Sequence, residues 1–404
     1  MSKRVIVDDN IIVKGEVCAA GSHMLYNFRP PFQAEAVDRL LAHGWQLTGR
    51  ANVGEFAMAG TETSWFGPTK NPLSEAHLGS AAAAAVRAGD AEAGLIVDCG
   101  DSLYLSALSG CPAFRPTYGA VSRFGIIANI SSSEQIGGVA PTVAEAAAAV
   151  QDAAGHDGKD ATSRPEESWD FTPEASVAGK KIAYLENLLC EDTNPAVRDA
   201  AAEAAEALKA AGAQVDLVSL PYLELAGPAY TCMAAAEGCN NVSRFDGVKY
   251  GYRTEHYRNI EDLYRGSRTE GFGLHAKFVC LLGTYVLSKG NYEKYYYKAL
   301  QARYLIRDAF RQLFADYDAA LLPLASGVAP ELGLDPAAAA ARRDDDRCWS
   351  APSLISGLPC AALPWGKGPS GLPFAVQLIA DSGKDREALT AAAALEAAMK
   401  GGVR

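Results

Sequence analysis

Nowhere in this chain does an apolar run approach the roughly 20 residues that a membrane-spanning helix needs. The opening, MSKRVIVDDNIIVKG, carries Lys3 and Arg4, but Asp8 and Asp9 interrupt its apolar stretch well short of signal-peptide length. A cytoplasmic location with no membrane role is therefore expected. Paired cysteines are missing too. The nine cysteines stand singly, at Cys18, Cys99, Cys111, Cys190, Cys232, Cys239, Cys280, Cys348 and Cys360, with no CxxC among them. That excludes a disulfide framework and a zinc site and reads as reduced, mostly buried thiols. Positive charge is scarce: 37 Lys and Arg face 48 Asp and Glu, a net charge of −11. Phosphate binding runs on clustered Lys and Arg, so any nucleic acid would be held through a partner. No short-period repeat occurs, which excludes a solenoid. No metal or cofactor site is read.

What the chain has in quantity is apolar residue, 49% of 404 positions against 21% charged, enough for one large core or two ordinary ones. The stretch Leu78 to Gly119 stands out. An Ala-rich helical run, Ser80 to Ala88, leads into an apolar strand, Ala93 to Val97, which ends in the small-residue turn Asp98-Cys99-Gly100-Asp101-Ser102. A strand ending in a glycine turn that carries a serine is one way α/β proteins lift a hydroxyl above a sheet, with backbone N–H groups beside it to hold an oxyanion. An ordinary strand-to-loop turn is the competing reading.

The rest of the chain reads as alternating strands and helices. Val5 to Val7 is a strand, followed by Asp8-Asp9-Asn10 and Ile11 to Val13; carboxylates at a strand end are expected to cap or face solvent. Ala34 to His43 has helical spacing and a glycine stop at Gly44, and Trp45 to Gly49 is a strand. Gly54 to Pro72, rich in Gly, Thr and Pro, is loop. Thr142 with Glu145 forms a capping box opening a helix over Val143 to Ala154. His156 to Glu174 is polar, contains proline and lacks periodicity, as a linker does. Lys181 to Leu185, Pro195 to Ala211 and Gln214 to Val218 make a βαβ unit. Asn259 to Ser267 and Leu281 to Phe314 read as long helices, Ala319 to Ala325 and Ala361 to Leu363 as strands, and Asp385 to Met399 as a final helix.

Longer motifs give these pieces a common source. Thr61-Glu62, Phe66-Gly67-Pro68-Thr69-Lys70-Asn71-Pro72, Arg115-Pro116-Thr117-Tyr118-Gly119, Val121-Ser122-Arg123-Phe124-Gly125, Gly155-His156-Asp157 and Gly357-Leu358-Pro359 run almost end to end. The chain resembles the amidase signature family. Three further segments are Ser243-Arg244-Phe245-Asp246-Gly247-Val248, Glu270-Gly271-Phe272-Gly273 and Leu282-Gly283-Thr284-Tyr285-Val286-Leu287-Ser288. They resemble, within that family, the A-type subunits of glutamyl-tRNA(Gln) amidotransferases. The resemblance implies an α/β amidase signature fold, with a central mixed β-sheet covered by helices on both faces. It also implies a single domain over 1–404: a signature core at 1–155, a linker at 156–178, and a second half at 179–404 completing the sheet and its helices.

The mechanism implied by the resemblance is a Ser–Ser–Lys triad: a lysine base, a relay serine, and a nucleophilic serine beside a glycine-rich oxyanion turn. On these residues the match breaks down. Val7-Asp8-Asp9-Asn10 puts Asp8 in place of the lysine, Ala76-His77-Leu78-Gly79-Ser80-Ala81 puts Leu78 in place of the relay serine, and Asp98-Cys99-Gly100-Asp101-Ser102 keeps only the nucleophile position, Ser102. In the oxyanion turn, Cys99-Gly100-Asp101, a side chain and a negative charge at Asp101 replace a glycine. The anchors for the substrate's carboxylate and amine align to Val279 and Arg347, so both are lost. The family also carries several dozen residues before the lysine strand, so a truncated N-terminus is expected.

A bare serine without base or relay is a weak nucleophile near neutral pH. The leading expectation is a non-catalytic subunit that serves as scaffold or ligand-binding component in a tRNA-dependent amidotransferase-like assembly. Its expected partners are B- and C-type amidotransferase subunits, with tRNA reached only through a partner. The alternative is an active glutamine amidase in which Ser102, or Cys99 through its more accessible thiolate, attacks with a non-standard base. A third reading gathers Asp8, Asp98 and Asp101 near Ser102 to attract a cation or an amine.

Overall fold

Short apolar runs bounded by Gly- and Asp-containing turns become strands here, and Ala-rich stretches of 3.6-residue period become the helices between them. The structure, a computed structural model, describes residues 3–166, 168–187 and 193–401. The first half contains β1 (Lys3–Asp8), α1 (Glu35–Ala42), β2 (Trp45–Ala51), β3 (Lys70–Asn71), β4 (Ser74–Leu78), α2 (Ala81–Ala88), β5 (Ala93–Asp98), α3 (Ser102–Leu108), β6 (Ala113–Arg115), β7 (Gln135–Val139) and α4 (Val143–Ala153). Next come β8 (Lys181–Leu185), α5 (Pro195–Ala210), β9 (Gln214–Val218), α6 (Ala226–Val242), α7 (Ile260–Gly271), α8 (Leu274–Leu287) and α9 (Tyr296–Leu313). The chain ends with β10 (Ala319–Pro323), α10 (Pro336–Ser356), β11 (Cys360–Trp365), β12 (Phe374–Ile379) and α11 (Asp385–Gly401).

Ten of these strands form one mixed sheet, ordered β2-β1-β5-β7-β6-β11-β12-β10-β8-β9 and flanked by helices, while β3 and β4 make a separate hairpin. The β1 pairings with β2 and β5 are parallel, as are those of β8 with β9 and β10. The central pairs run antiparallel, and the two halves of the chain meet where β6 pairs with β11, Cys360 opposite Arg115. Every residue of β5 is buried. A strand covered on both faces reads as a continuous apolar run rather than an alternation, which is why Ala93 to Val97 is visible in the sequence. Among the described residues no helix is long and apolar enough to cross a membrane. The eight described cysteines are free thiols, and Cys190 lies outside the described residues.

The expected βαβ unit is present, with β8 and β9 parallel from Lys181 opposite Gln214. The N-cap half of the capping box at α4 forms: the Glu145 N–H donates to Thr142 Oγ1 at 3.2 Å, while Thr142 Oγ1 donates to Glu145 Oε2 at 2.7 Å in place of the reciprocal backbone bond. Thr142→Ala is expected to cost about 1 kcal/mol in urea unfolding, because that helix N–H loses its acceptor.

Two expectations are corrected. The single helix expected over Leu281 to Phe314 is two helices, since α8 ends at Leu287 and α9 starts at Tyr296. Between them Gly290 takes a φ of +86° and the Asn291 N–H bonds back to Ser288 O at 3.0 Å, a turn that Ser-Lys-Gly-Asn encodes. Beyond β1, Ile11 forms a single bridge to Ile126. The carboxylates after β1 neither cap a helix nor face solvent, for Asp8 and Asp9 are 4% and 9% exposed. They turn inward because backbone N–H groups await them. Asp8 Oδ2 accepts from Val97 at 2.8 Å, and Asp9 Oδ2 accepts from Ala19 at 3.0 Å.

The segments that resemble the tRNA-dependent subunits build a second, smaller apolar cluster around Met24, Phe56, Phe245 and Phe272. There Phe56 stacks on Phe245 at 4.9 Å, the Tyr252 N–H bonds to Met24 O at 2.7 Å, and the Gly273 N–H bonds to Glu55 Oε2 at 2.9 Å. A Cβ at Gly273 would lie 2.7 Å from Glu55 Oε2, so a side chain there would push on the carboxylate that accepts its N–H. The described residues of 156–178 run irregularly, held where Ser122 Oγ donates to Asp157 at 2.6 Å and where Phe171 is buried.

Candidate functional site

The turn after β5 is built around one carboxylate. Asp98 Oδ1 accepts the N–H groups of Gly100 at 3.0 Å and Leu103 at 3.3 Å, closing the chain over itself. Gly100 sits at φ +114°, a backbone state that a side chain resists. Asp98 Oδ2 pairs with Arg115, whose other Nη donates to Ser353 Oγ at 2.7 Å, and the Tyr230 hydroxyl donates to Cys99 O. The backbone N–H of Gly100, one of the donors an oxyanion would need, is therefore already committed to Asp98.

Ser102 is the first residue of α3 and half-buried, and its Oγ donates to Val97 O at 2.9 Å. The hydroxyl proton is thus directed at a strand carbonyl, which is no base. Asp8 comes close by through the β1–β5 pairing. Burial pushes its carboxyl up to about 8 from an ordinary 3.8, with Asp9 and Asp98 adding to the rise against the Val97 N–H and Arg50. It is mostly protonated at neutral pH. Burial, assisted by Glu134, Asp98, Asp101 and Asp8, holds the Cys99 thiol well above its ordinary value. Leu78 is buried at the end of β4, its N–H bonded to Pro330 O at 2.7 Å.

Two separate cavities divide the expected site. Asp8, Asp101 and Ser102 come together, with Ser80, around a cavity of about 30 Å³, room for a single water. Leu78, Val279 and Arg347 instead line a cavity of about 900 Å³. Asp98 acts electrostatically on both Asp8 and Asp101 but lines neither cavity, its oxygens being taken by Arg115 and the turn. Among the described residues no group of three or more His, Cys, Asp and Glu could hold a metal ion.

Sequence reasoning reached the polar end of the larger cavity only at Arg347, an aligned anchor position, and missed the rest of it. It is built by Arg343 and Arg347 on α10, with Glu62 and His275 facing them. Arg343 donates to Glu62 Oε1 at 2.5 Å, and burial lowers His275 to about 3, so its ring is neutral. The signal lay in the spacing: Asp346 and Ser350 share a helix face with Arg343 and Arg347, and all four are buried. Within the acidic-basic run Arg342 to Arg347 that face reads as solvated surface.

Comparison with known proteins gives the same architecture a lineage. The amidase family profile matches residues 5–389. The chain is 40% identical over 400 residues to the A-type subunit of glutamyl-tRNA(Gln) amidotransferase from Agathobacter rectalis, covering 97% of this chain and 79% of that one. The Streptococcus agalactiae protein of the same name is 40% identical over 402 residues, covering 97% and 81%. The crystal structure of the Thermotoga maritima protein of that name superposes with a TM-score of 0.82 at 31% identity, covering 98% of this chain and 82% of that one. The sheet and its flanking helices are thus shared with relatives matched along nearly the whole chain, and this chain belongs to the amidase signature family.

Proposed function

We propose that the chain is a non-catalytic member of its family, acting as a scaffold or ligand-binding component in a cytoplasmic, tRNA-dependent amidotransferase-like assembly. The observation that carries this reading is the state of Ser102, whose hydroxyl donates to Val97 O while the only nearby side chain in the base position, Asp8, is a buried carboxyl that keeps its proton at neutral pH. A positioned base contributes typically 10²–10⁴-fold. Here a carboxyl that already holds a proton cannot accept another, and the Gly100 N–H is occupied. Cys99 is no better a nucleophile, since burial and the neighbouring acidic groups oppose its thiolate. The partners in this reading are B- and C-type amidotransferase subunits, the relatives being named A subunits of an amidotransferase, and the net charge of −11 supports tRNA being reached only through a partner. In the same reading residues 1–404 are one amidase-signature domain, a core at 1–155 joined through 156–178 to 179–404.

The test is ammonia release from glutamine by the purified chain, alone and with B- and C-type subunits. Release at the protein-free background, unchanged in Ser102→Ala and Cys99→Ala, is the expected result. Ammonia release above background that disappears in either variant would overturn the reading and favour an active amidase. The scaffold role predicts co-purification with B- and C-type subunits, and a monomer that captures neither removes it.

A further inference from the structure

The cavity of about 900 Å³ lies in the size range of small-molecule sites and has the division of labour such sites show, an apolar body with a few polar groups at one end. Its body is made by Ala234 and Ala235 of α6 and by Phe278, Val279 and Leu282 of α8. Its polar end is made by α10, and the charges there can be accounted for one by one. Arg342 donates to Asp346 at 3.0 Å, and Asp346 is also bonded by Ser326. Arg343 is taken by Glu62. Arg347 is left over. It is 8% exposed and donates to Met58 O at 3.2 Å. Asp344, at 3.5 Å, points mostly into water, with its side chain 64% exposed. The Nε of Arg347 is buried without a hydrogen-bond partner, and so is His275 Nε2 in the same cavity wall. Asp101 also attracts the guanidinium but makes no ion pair with it within 4 Å and does not line this cavity, and the Tyr230 ring lies 5.8 Å from it.

A buried guanidinium with an unmet donor is costly unless something accepts from it, and a carboxylate is the strongest match because the hydrogen bonds are charge-assisted. We propose that this cavity binds an apolar monocarboxylate, its carboxylate on Arg347 and its hydrocarbon body against Phe278, Val279 and Leu282. The ligand proposed is an acid without a compensating amine: of the acids lining the cavity, Asp346 is committed to Arg342, Glu62 faces Arg343 through Oε1 although its Oε2 has no hydrogen-bond partner, and Glu331 and Asp344 are exposed to water. This deepens the ligand-binding half of the proposed function and rests on it, but it makes no claim about ammonia release, so the two fail independently.

Isothermal titration calorimetry of the full chain with hexanoate, hexanamide and hexylamine tests it. Hexanoate should bind at least about tenfold more tightly than the amide or the amine, which share its body but not its charge. Arg347→Gln should remove that preference, and Arg347→Lys, which keeps the charge, should restore part of it. Val279→Trp, which fills the apolar body, should weaken hexanoate without touching the arginine, and it carries the test if Arg347→Gln does not fold by circular dichroism. The proposal is overturned if hexanoate shows no heat at millimolar concentration. Equal binding of acid and amide, tighter binding of glutamine than of hexanoate, or hexanoate affinity unchanged in Arg347→Gln or Val279→Trp would overturn it too.

Discussion

Replacing Arg115 by methionine is expected to lower the stability of the fold by about 3–5 kcal/mol in urea unfolding, the range for breaking a buried ion pair from one side. Arg115 and Asp98 are each 1% exposed, so the orphaned Asp98 carboxylate would find no water. The loss extends further than one pair. Asp98 also holds the turn through Gly100 and Leu103, and Arg115 ties β6 to α10 through Ser353. Adding Asp98→Asn should recover a good part of the loss, because an amide oxygen still accepts the two turn N–H groups while no charge remains buried. If the single variant costs less than about 1 kcal/mol, as exposed pairs do, the pair is not the keystone of the turn described here.

The contrast between what the sequence discloses and what it hides follows from where each residue's partner lies. The βαβ unit from Lys181 to Val218 is legible because its evidence is local: apolar strands, an Ala-rich period, a cap at Asn194 and a stop at Gly212. The central strands β6 and β7 escape notice, being only three and five residues long, with Gly137 and Gly138 inside β7. Helix α10 hides for the opposite reason. The inward face of its middle carries Arg343, Asp346, Arg347 and Ser350, so the usual apolar stripe begins only near Trp349, and Pro352 lies within it. Helix α6 is buried around most of its circumference and shows little amphipathic contrast.

At the candidate site the serine turn is readable from Asp98 to Ser102, yet the arginine that anchors it is not. Nothing near Asp98 in sequence announces that Arg115 will claim one oxygen and the turn's own N–H groups the other. The family resemblance identifies Asp8 as a replacement, but the burial that makes it a protonated carboxyl comes from β1 lying between β2 and β5. The split into two cavities is a tertiary fact as well. Leu78 and Ser102, expected to share one site, are placed on different ones by the hairpin β3–β4 and helix α3.

Asp8→Asn is expected to stabilise the protein by an amount that grows with pH, and the sign follows from the two states of the wild-type carboxyl. Its folded value of about 8 stands above the ordinary 3.8 because burial disfavours the charged form. Below 3.8 the carboxyl is protonated in both states and contributes nothing to the pH dependence. Between 3.8 and about 8 the unfolded chain releases its proton and the folded chain keeps it. Stability falls there by ~1.4 kcal/mol per pH unit. Above about 8 both states are ionised and the loss levels off. Asparagine resembles the protonated carboxyl, its amide oxygen can still accept from the Val97 N–H, and it does not titrate. Its advantage should therefore be small near pH 4 and reach roughly 3 kcal/mol or more by pH 7. Asp101 and Asp385, each raised by burial to about 6, tilt the stability of both proteins the same way and cancel in the difference. Urea unfolding of wild type and variant across that range reads the difference directly. Two parallel stability curves would mean that Asp8 is ionised in the folded chain, and would return to it the capacity to accept a proton from Ser102.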